Sequence, residues 1–351
     1  MTARPGALAD TLAALPVCVE AVEVQRRALA VDDYAGGPRP SSVVRLSGLG
    51  HVGRGENVAF SEDDQARFAA HAASLLAGGA LREGTWRGPV GALLGEAARG
   101  YERAALEAAL IDLALRQAGT TLAALTGRHE SALRVVLSFA ARPDPAAYAR
   151  ALRGTARAQT KAGVPAATVV DSDVDAKLGS PSAANLELKI DVDPAWTAAA
   201  ATALAAEPGV AVLDFKSRGD ARLAAMLSPL FSGALFEDPP PGTTHPRRAR
   251  DASLTDAGTV AAALARGESV NLKAPRMGGP LEVLRALESV RAVGGDRIAY
   301  LGGMFEVDVG RTQARQLAAL FCADGPNDLA PLQGPHRGDR LAVRLDTPGF
   351  G

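Results

Sequence analysis

Val210-Ala211-Val212-Leu213-Asp214-Phe215-Lys216 and Ala234-Leu235-Phe236-Glu237-Asp238-Pro239 each close an apolar run with an acid. The same grammar recurs on either side. It is seen in Leu186-Glu187-Leu188-Lys189-Ile190-Asp191, Arg250-Asp251-Ala252-Ser253-Leu254, Ser269-Val270-Asn271-Leu272-Lys273 and the segment from Ala299 to Glu306. A parallel strand covered on both faces reads as a continuous hydrophobic run. Such runs, repeated at strand-plus-helix intervals, indicate βαβ units. When these units close into a barrel, the reactive groups collect at the C-terminal strand ends. The acids and lysines of this chain fall there.

Working outward, the segment from Pro16 to Val58 is valine-rich and broken by single polar residues, which predicts an antiparallel meander. Asp32 to Gly37 and Gly48 to Gly55 read as glycine-rich turns. No strand leads from the second turn into a helix, so a phosphate-cradling loop is not expected. Glu62 to Ala80 and Gly91 to Gly119 have helical spacing, with Gly119 as a stop. Val135 to Phe139 is the first strand of the barrel. Arg157 to Ala184 is a long connection with no assigned structure, and Gly334 to Gly351 holds few core residues.

Composition narrows the function classes. The length of 351 residues suits a barrel plus a smaller domain, and 47% hydrophobic residues supply a large core. A net charge of −1 gives no reason to expect nucleic acid or an anionic membrane as partner. There is no signal-peptide pattern and no apolar run near about 18 residues, so the expected location is the cytoplasm. Cys18 and Cys322 form no metal-ligand motif and read as small buried hydrophobes. Of 38 basic residues only Lys161, Lys177, Lys189, Lys216 and Lys273 are lysines. Arginine does not give up its proton in a protein, whereas a partly buried lysine can. Three of the five lysines sit at barrel strand ends, a placement that favours chemistry.

Tyr101-Glu102-Arg103-Ala104-Ala105-Leu106-Glu107-Ala108-Ala109-Leu110-Ile111-Asp112-Leu113-Ala114, followed by Gly119 and by Leu122 to Gly127, resembles the enolase superfamily in its mandelate racemase and muconate-lactonising branch. Gly53-Arg54-Gly55-Glu56-Asn57-Val58 is similar to that family's glycine-rich turn in the cap. The resemblance runs on through the barrel acids and lysines to Asn327-Asp328-Leu329-Ala330-Pro331. It implies an α+β capping domain over residues 1–130 and a modified TIM barrel, (β/α)7β, over residues 131–331. Residues 332–351 would form a tail returning to the cap.

The resemblance also implies chemistry. Members of the superfamily bind Mg2+ through three carboxylates on successive strands. The ion holds a substrate carboxylate and stabilises the enediolate formed when a base removes the α-proton. The matching positions are Asp214, Glu237 and Asp251. The stretch between the last two is short and Ala252 replaces the usual second acid, so Asp256 stands as the substitute for Asp251. Lys273 matches the lysine base or acid of the sixth strand, where metal and neighbouring lysines would lower its pKa. The family's second strand carries Lys-x-Lys, and Lys189 fits it in two frames. The favoured frame makes Lys189 the second lysine, the opposite-face base, with Glu187 in place of the first. The other makes Lys189 the first and puts Asp191 where the base should be. Asp214-Phe215-Lys216 replaces the usual Asp-x-Asn, so Lys216 is expected beside Asp214, restoring the charge lost at Glu187. Glu306, Glu187, Arg276 and Tyr34 are candidate substrate-binding residues. None of the five histidines occupies a catalytic position of the family.

The implied activity is Mg2+-dependent proton abstraction from a small-molecule carboxylate. Either β-elimination follows, as in o-succinylbenzoate synthase, or reprotonation, as in racemases, epimerases and cycloisomerases; the altered Lys-x-Lys strand tilts the reading slightly to the former. A homo-oligomer is implied by the relatives. The alternative is a silent barrel that binds a metal or acidic metabolite without turnover, supported by the departures at Glu187, Lys216 and Ala252.

Overall fold

The structure, a computed structural model, describes residues 5–29, 38–77, 100–161, 186–293, 299–329 and 350. Its N-terminal part opens with helix α1 (Pro5–Ala13) and an antiparallel sheet of β1 (Ala21–Leu29), β2 (Arg39–Gly48) and β3 (His51–Asn57) in that order. The meander predicted from the valines is thus present. Its second hairpin is a two-residue connection, Leu49-Gly50, with φ of 51° and 77°. Positive φ at both positions matches the twist of the flanking strands.

The turn expected over Gly48 to Gly55 is therefore confined to Leu49-Gly50, and Gly53 and Gly55 lie inside β3. They are needed there for contact rather than for bending. Helices α2 (Glu62–Ala77), α3 (Gly100–Gln117) and α4 (Leu122–Thr126) follow. A Cβ on Gly53 would overlap the carbonyl of Ala109, and one on Gly55 that of Ala105. Bare backbone lets β3 lie directly on α3. The helix is buried over nearly its whole length, from Ala104 to Leu115, as expected of one sandwiched between two layers.

The second part alternates β4 (Val136–Phe139), α5 (Pro145–Lys161), β5 (Glu187–Asp191), α6 (Ala198–Ala205), β6 (Val210–Asp214), α7 (Ala221–Leu227), β7 (Leu235–Glu237), β8 (Arg248–Arg250), α8 (Ala257–Ala265), β9 (Ser269–Leu272), α9 (Ala274–Met277), α10 (Pro280–Val293), β10 (Ala299–Leu301) and α11 (Val309–Phe321). The strands form one parallel sheet in sequence order. Asn327 and Asp328 bridge its two edges, pairing in parallel with Val135 and Gly302. Val136 N donates to Asn327 O at 2.9 Å, and Asp328 N donates to Leu301 O at 2.9 Å. The eighth strand is two residues long, and it closes the (β/α)7β barrel. Between β7 and β8 the chain runs through Pro239-Pro240-Pro241 without a helix, as the short spacing required.

Two apolar clusters hold these parts. One joins Leu106, Ile111 and Leu113 of α3 to Leu281, Leu284 and Leu317 of the barrel helices. The other packs Leu188, Ile190, Phe215 and Phe236 under the helices of the first barrel half. Phe350, the described residue of the tail, is buried; its N donates to Gln316 and its carbonyl accepts from Leu122 N of α4. Both cysteines are free.

Candidate metal centre and active site

Strand register builds the site. Asp214 pairs with Asp191 across β5–β6 and with Glu237 across β6–β7, so these acids end neighbouring strands at one level. Asp251 follows β8 directly. Its position is fixed by Asp238, whose Oδ1 accepts from Asp251 N at 3.1 Å and whose Oδ2 accepts from Ala252 N at 2.8 Å. Asp238 holds a φ of 42° to reach them. One oxygen each of Asp214, Glu237 and Asp251 lies within 4.8 Å of the others, and all three residues are buried. Asp256 is elsewhere, capping α8 through a reciprocal capping box with Thr259. Asp251, and not Asp256, is therefore the acid that joins Asp214 and Glu237 in this cluster.

Mg2+ takes hard oxygen ligands at about 2.0–2.1 Å in near-octahedral geometry. Three buried carboxylates gathered this closely at adjacent strand ends supply oxygens of that kind. Beside them Asn271 donates to Glu237 Oε2 at 3.2 Å while its own Oδ1 is buried without a hydrogen-bond partner. Tyr300 Oη also donates to Glu237 Oε2.

Cations surround the acids. Lys189 Nζ contacts Glu237 directly, Asp214 at 3.2 Å and Asp328 at 3.4 Å. Lys216 Nζ contacts Asp214 and lies 3.3 Å from Asp191. Lys273 Nζ is 2.8 Å from Asp251, and Arg276 holds that carboxylate's other oxygen. Burial alone would raise Asp214, but Lys189 and Lys216 outweigh it and hold Asp214 well below the usual range. Burial likewise opposes ionisation of Asp251, yet Lys273, Lys189 and Arg276 bring it down to about 2. Glu237 goes the other way: burial, reinforced by Asp214 and Asp251 against the pull of Lys189, raises it to about 8.

Several expected residues stand differently. Lys189 pairs with Val212 in register, one level below Asp214, and its side chain is only 2% exposed. Burial disfavours its charge, but the four acids around it push its pKa well above the ordinary lysine value. It is a fixed cation under the acids, poorly suited to take a proton. The level of the ligands on β5 belongs to Asp191, so the register matches the second frame of the Lys-x-Lys strand and corrects the favoured one. Glu187 sits at the far end of β5 and is bound by Arg134 at 2.9 Å, away from the triad. Glu306 accepts from Met304 N at 2.8 Å and lies 3.5 Å from Arg311; among the described contacts none joins it to Lys273. Arg276, a candidate for substrate binding, is spent on Asp251 and on Met304 Sδ at 3.6 Å. Tyr34 lies outside the described residues. His245 is structural, stacked on Phe236 and bonded to Ser228 and to the carbonyl of Ala234.

Residues not anticipated at the site are Asp328, Ser138, Tyr300, Asn271 and Asp238. Asp328 accepts from Ser138 Oγ and faces Lys189 from the closing strand. Asn271 carried a readable signal, since it precedes Lys273 by two residues and so shares its strand face.

This fold and acid triad define the class: the protein has the fold of the enolase superfamily. Residues 10–87 and 172–333 match the models of the N-terminal and C-terminal domains of one family, described as a domain of unknown function, DUF8230. No curated protein matches the sequence. Among solved structures, a dipeptide epimerase from Enterococcus faecalis V583 is similar at 19% identity and a TM-score of 0.67, over 89% of this chain and 90% of that one. A mandelate racemase/muconate lactonizing protein from Herpetosiphon aurantiacus gives 19% and 0.67, over 91% of each. A putative mandelate racemase/muconate-lactonizing enzyme from Roseovarius nubinhibens ISM, complexed with magnesium, gives 18% and 0.63, over 90% and 88%. No helix among the described residues is long and apolar enough to cross a membrane.

Proposed function

We propose that the protein removes a proton α to the carboxylate of a small molecule, with Mg2+ as cofactor and Lys273 as the base. The observation that carries this reading is the gathering of Asp214, Glu237 and Asp251 at adjacent strand ends with Lys273 Nζ 2.8 Å from Asp251. Bound there, the metal would supply positive charge against which negative charge can develop on the substrate carboxylate. The three acids would hold it, and Asp238 keeps the third in place through the backbone. Lys189 stays charged beneath the ligands and limits the repulsion among them. Lys273, at the end of β9 and paired with Asp251, would take the proton. Asp191 at the end of β5 and Lys216 just after β6 stand across the triad from it.

Reprotonation, giving a racemase or epimerase, is the outcome we favour over β-elimination, because the similar structures include a dipeptide epimerase. A dipeptide is accordingly the first substrate class to try. The rival reading, binding without turnover, draws on a specific feature: Asp214 and Asp251 already carry protein cations. Incubation with dipeptides and other small carboxylates in D2O and Mg2+, followed by NMR, decides. α-Deuterium incorporation that is lost in Lys273→Met supports the enzyme, and the products separate epimerisation from elimination. Mg2+ binding without exchange on any substrate would favour the silent barrel.

A further inference from the structure

Lys189 and Lys216 both contact Asp214, but they are held in different ways. Lys189 is enclosed, with Asp214, Glu237 and Asp328 around its ammonium and 2% of its side chain exposed. Lys216 is 40% exposed and has a second acid in reach, Asp191 Oδ1 at 3.3 Å, on the neighbouring strand. Its backbone is folded back for this purpose. Lys216 and Ser217 both take left-handed conformations, with φ of 51° and 57°, which residues with a Cβ seldom adopt. The fold returns Lys216 N to Asp214 Oδ1 at 3.0 Å and brings Nζ to Oδ2. Lys216 thus reaches both oxygens of Asp214.

We propose that Lys216 is a displaceable counter-ion that competes with the metal for Asp214, and that Asp191 receives its ammonium when the metal binds. The proposal rests on the metal reading above. A divalent ion drawn to Asp214 Oδ2 would meet the charge of the Lys216 ammonium already on that oxygen, and the two repel one another at close range. Lys189 is enclosed and Lys216 is exposed, so Lys216 is the one with room to move. The move to Asp191 is short, keeps the lysine paired, and leaves its charge at the exposed rim of the barrel. There it would meet the anionic part of an incoming substrate.

The experiment is calorimetric titration with Mg2+ of wild type, Lys216→Met, Asp191→Asn and the double variant, each checked for folding by circular dichroism. Lys216→Met is expected to tighten Mg2+ binding at least about tenfold, the scale of removing one directly competing charge. Asp191→Asn is expected to weaken binding several-fold, because the displaced ammonium loses its berth. That weakening should shrink or vanish when Lys216 is already methionine. Unchanged or weaker binding in Lys216→Met overturns the proposal. So does an equal effect of Asp191→Asn in both backgrounds, which would reduce Asp191 to a distant charge. If wild type and variants all bind Mg2+ alike, the metal reading survives and the competition does not. If none binds, both fall.

Discussion

At the barrel mouth, Asp214 and Asp251 meet lysines and an arginine; where the cap strands and α3 meet the barrel, Glu56 and Glu107 meet backbone N–H groups. Glu56, 4% exposed, accepts from Val307 N at 2.7 Å and from Asp308 N and Gly310 N at 3.0 Å each, around the start of α11. Glu107, 3% exposed, accepts from Leu281 N at 2.7 Å in the first turn of α10. Each glutamate caps a barrel helix from outside it, satisfying donors that the helix cannot. The electrostatic outcomes diverge. Burial raises Glu56 and Glu107 to about 7, a rise that the N–H groups only moderate. Lysines and arginine more than offset burial at Asp214 and Asp251. Backbone donors are fixed and partial in charge, whereas side-chain cations are full charges that can be exchanged. The seam is therefore built to stay, and the mouth to trade partners.

The largest effect expected is on activity. Lys273→Met should lower α-proton exchange by about 10³-fold, within the usual range for loss of a general base, while leaving the seam intact. Exchange at the wild-type rate would remove Lys273 from the chemistry and leave the mouth a charge network only. Next is Lys189→Met, which strips Asp214 and Glu237 of a buried cation and should cost about 3–5 kcal/mol in urea unfolding. Mg2+ should recover more of that loss than it adds to wild type, since saturation at 100 times Kd supplies about 2.7 kcal/mol and the variant's acids are freer to bind it. Glu56→Ala is the seam counterpart. Leaving buried N–H groups without an acceptor should cost about 2–3 kcal/mol, and Mg2+ should add to this variant only what it adds to wild type. Metal rescue of Glu56→Ala beyond that would erase the distinction between the two regions.

The parts of this design that were legible in sequence are those written as a run with a terminal residue. Asp214, Glu237 and Lys273 end apolar stretches, and the barrel places strand ends together whatever the loops do. The frame of Lys189 was not legible, and the reason is physical. Alternation repeats every two residues, so frames two residues apart bury the same face. A register shift of one residue between Leu188 and Lys189, where Leu188 pairs with Val210 but Lys189 with Val212, is what brings Asp191 level with Asp214. Nothing in Glu187 to Asp191 announces that irregularity. Gly53 and Gly55 misled in another way: glycine signals a turn in sequence, yet here it marks the closest approach of β3 to α3. Asp328 escaped because its strand is two residues long and carries no hydrophobic run.

Protonation offers the finest separation of Glu107 from Asp251, because it predicts opposite signs; Glu237, raised to about 8 by burial, sides with the seam. The pKa of Glu107 is raised in the fold from 4.5 to about 7, mainly by burial. A group raised on folding contributes stability that is whole below its unfolded value and is lost as pH climbs through its folded one. Glu107→Gln keeps an oxygen that can accept the Leu281 N–H and has no proton to lose. It should therefore gain on wild type as pH rises from 4.5 to 7.5, by on the order of 1–2 kcal/mol. Asp251 is the reverse case. Burial would raise it, but Lys273 leads the charges that carry it from 3.8 down to about 2. Its contribution is present above its unfolded value and lost as pH falls through about 2. Asp251→Asn should therefore be less stable than wild type at neutral pH, and the gap should close toward acid. Urea unfolding of Glu107→Gln from pH 4.5 to 7.5, and of Asp251→Asn from pH 4 down toward 2, gives the two slopes. If they share a sign, the carboxylates held by N–H groups and those held by cations are not two kinds of site, and the exchangeable character assigned to the mouth loses its physical basis.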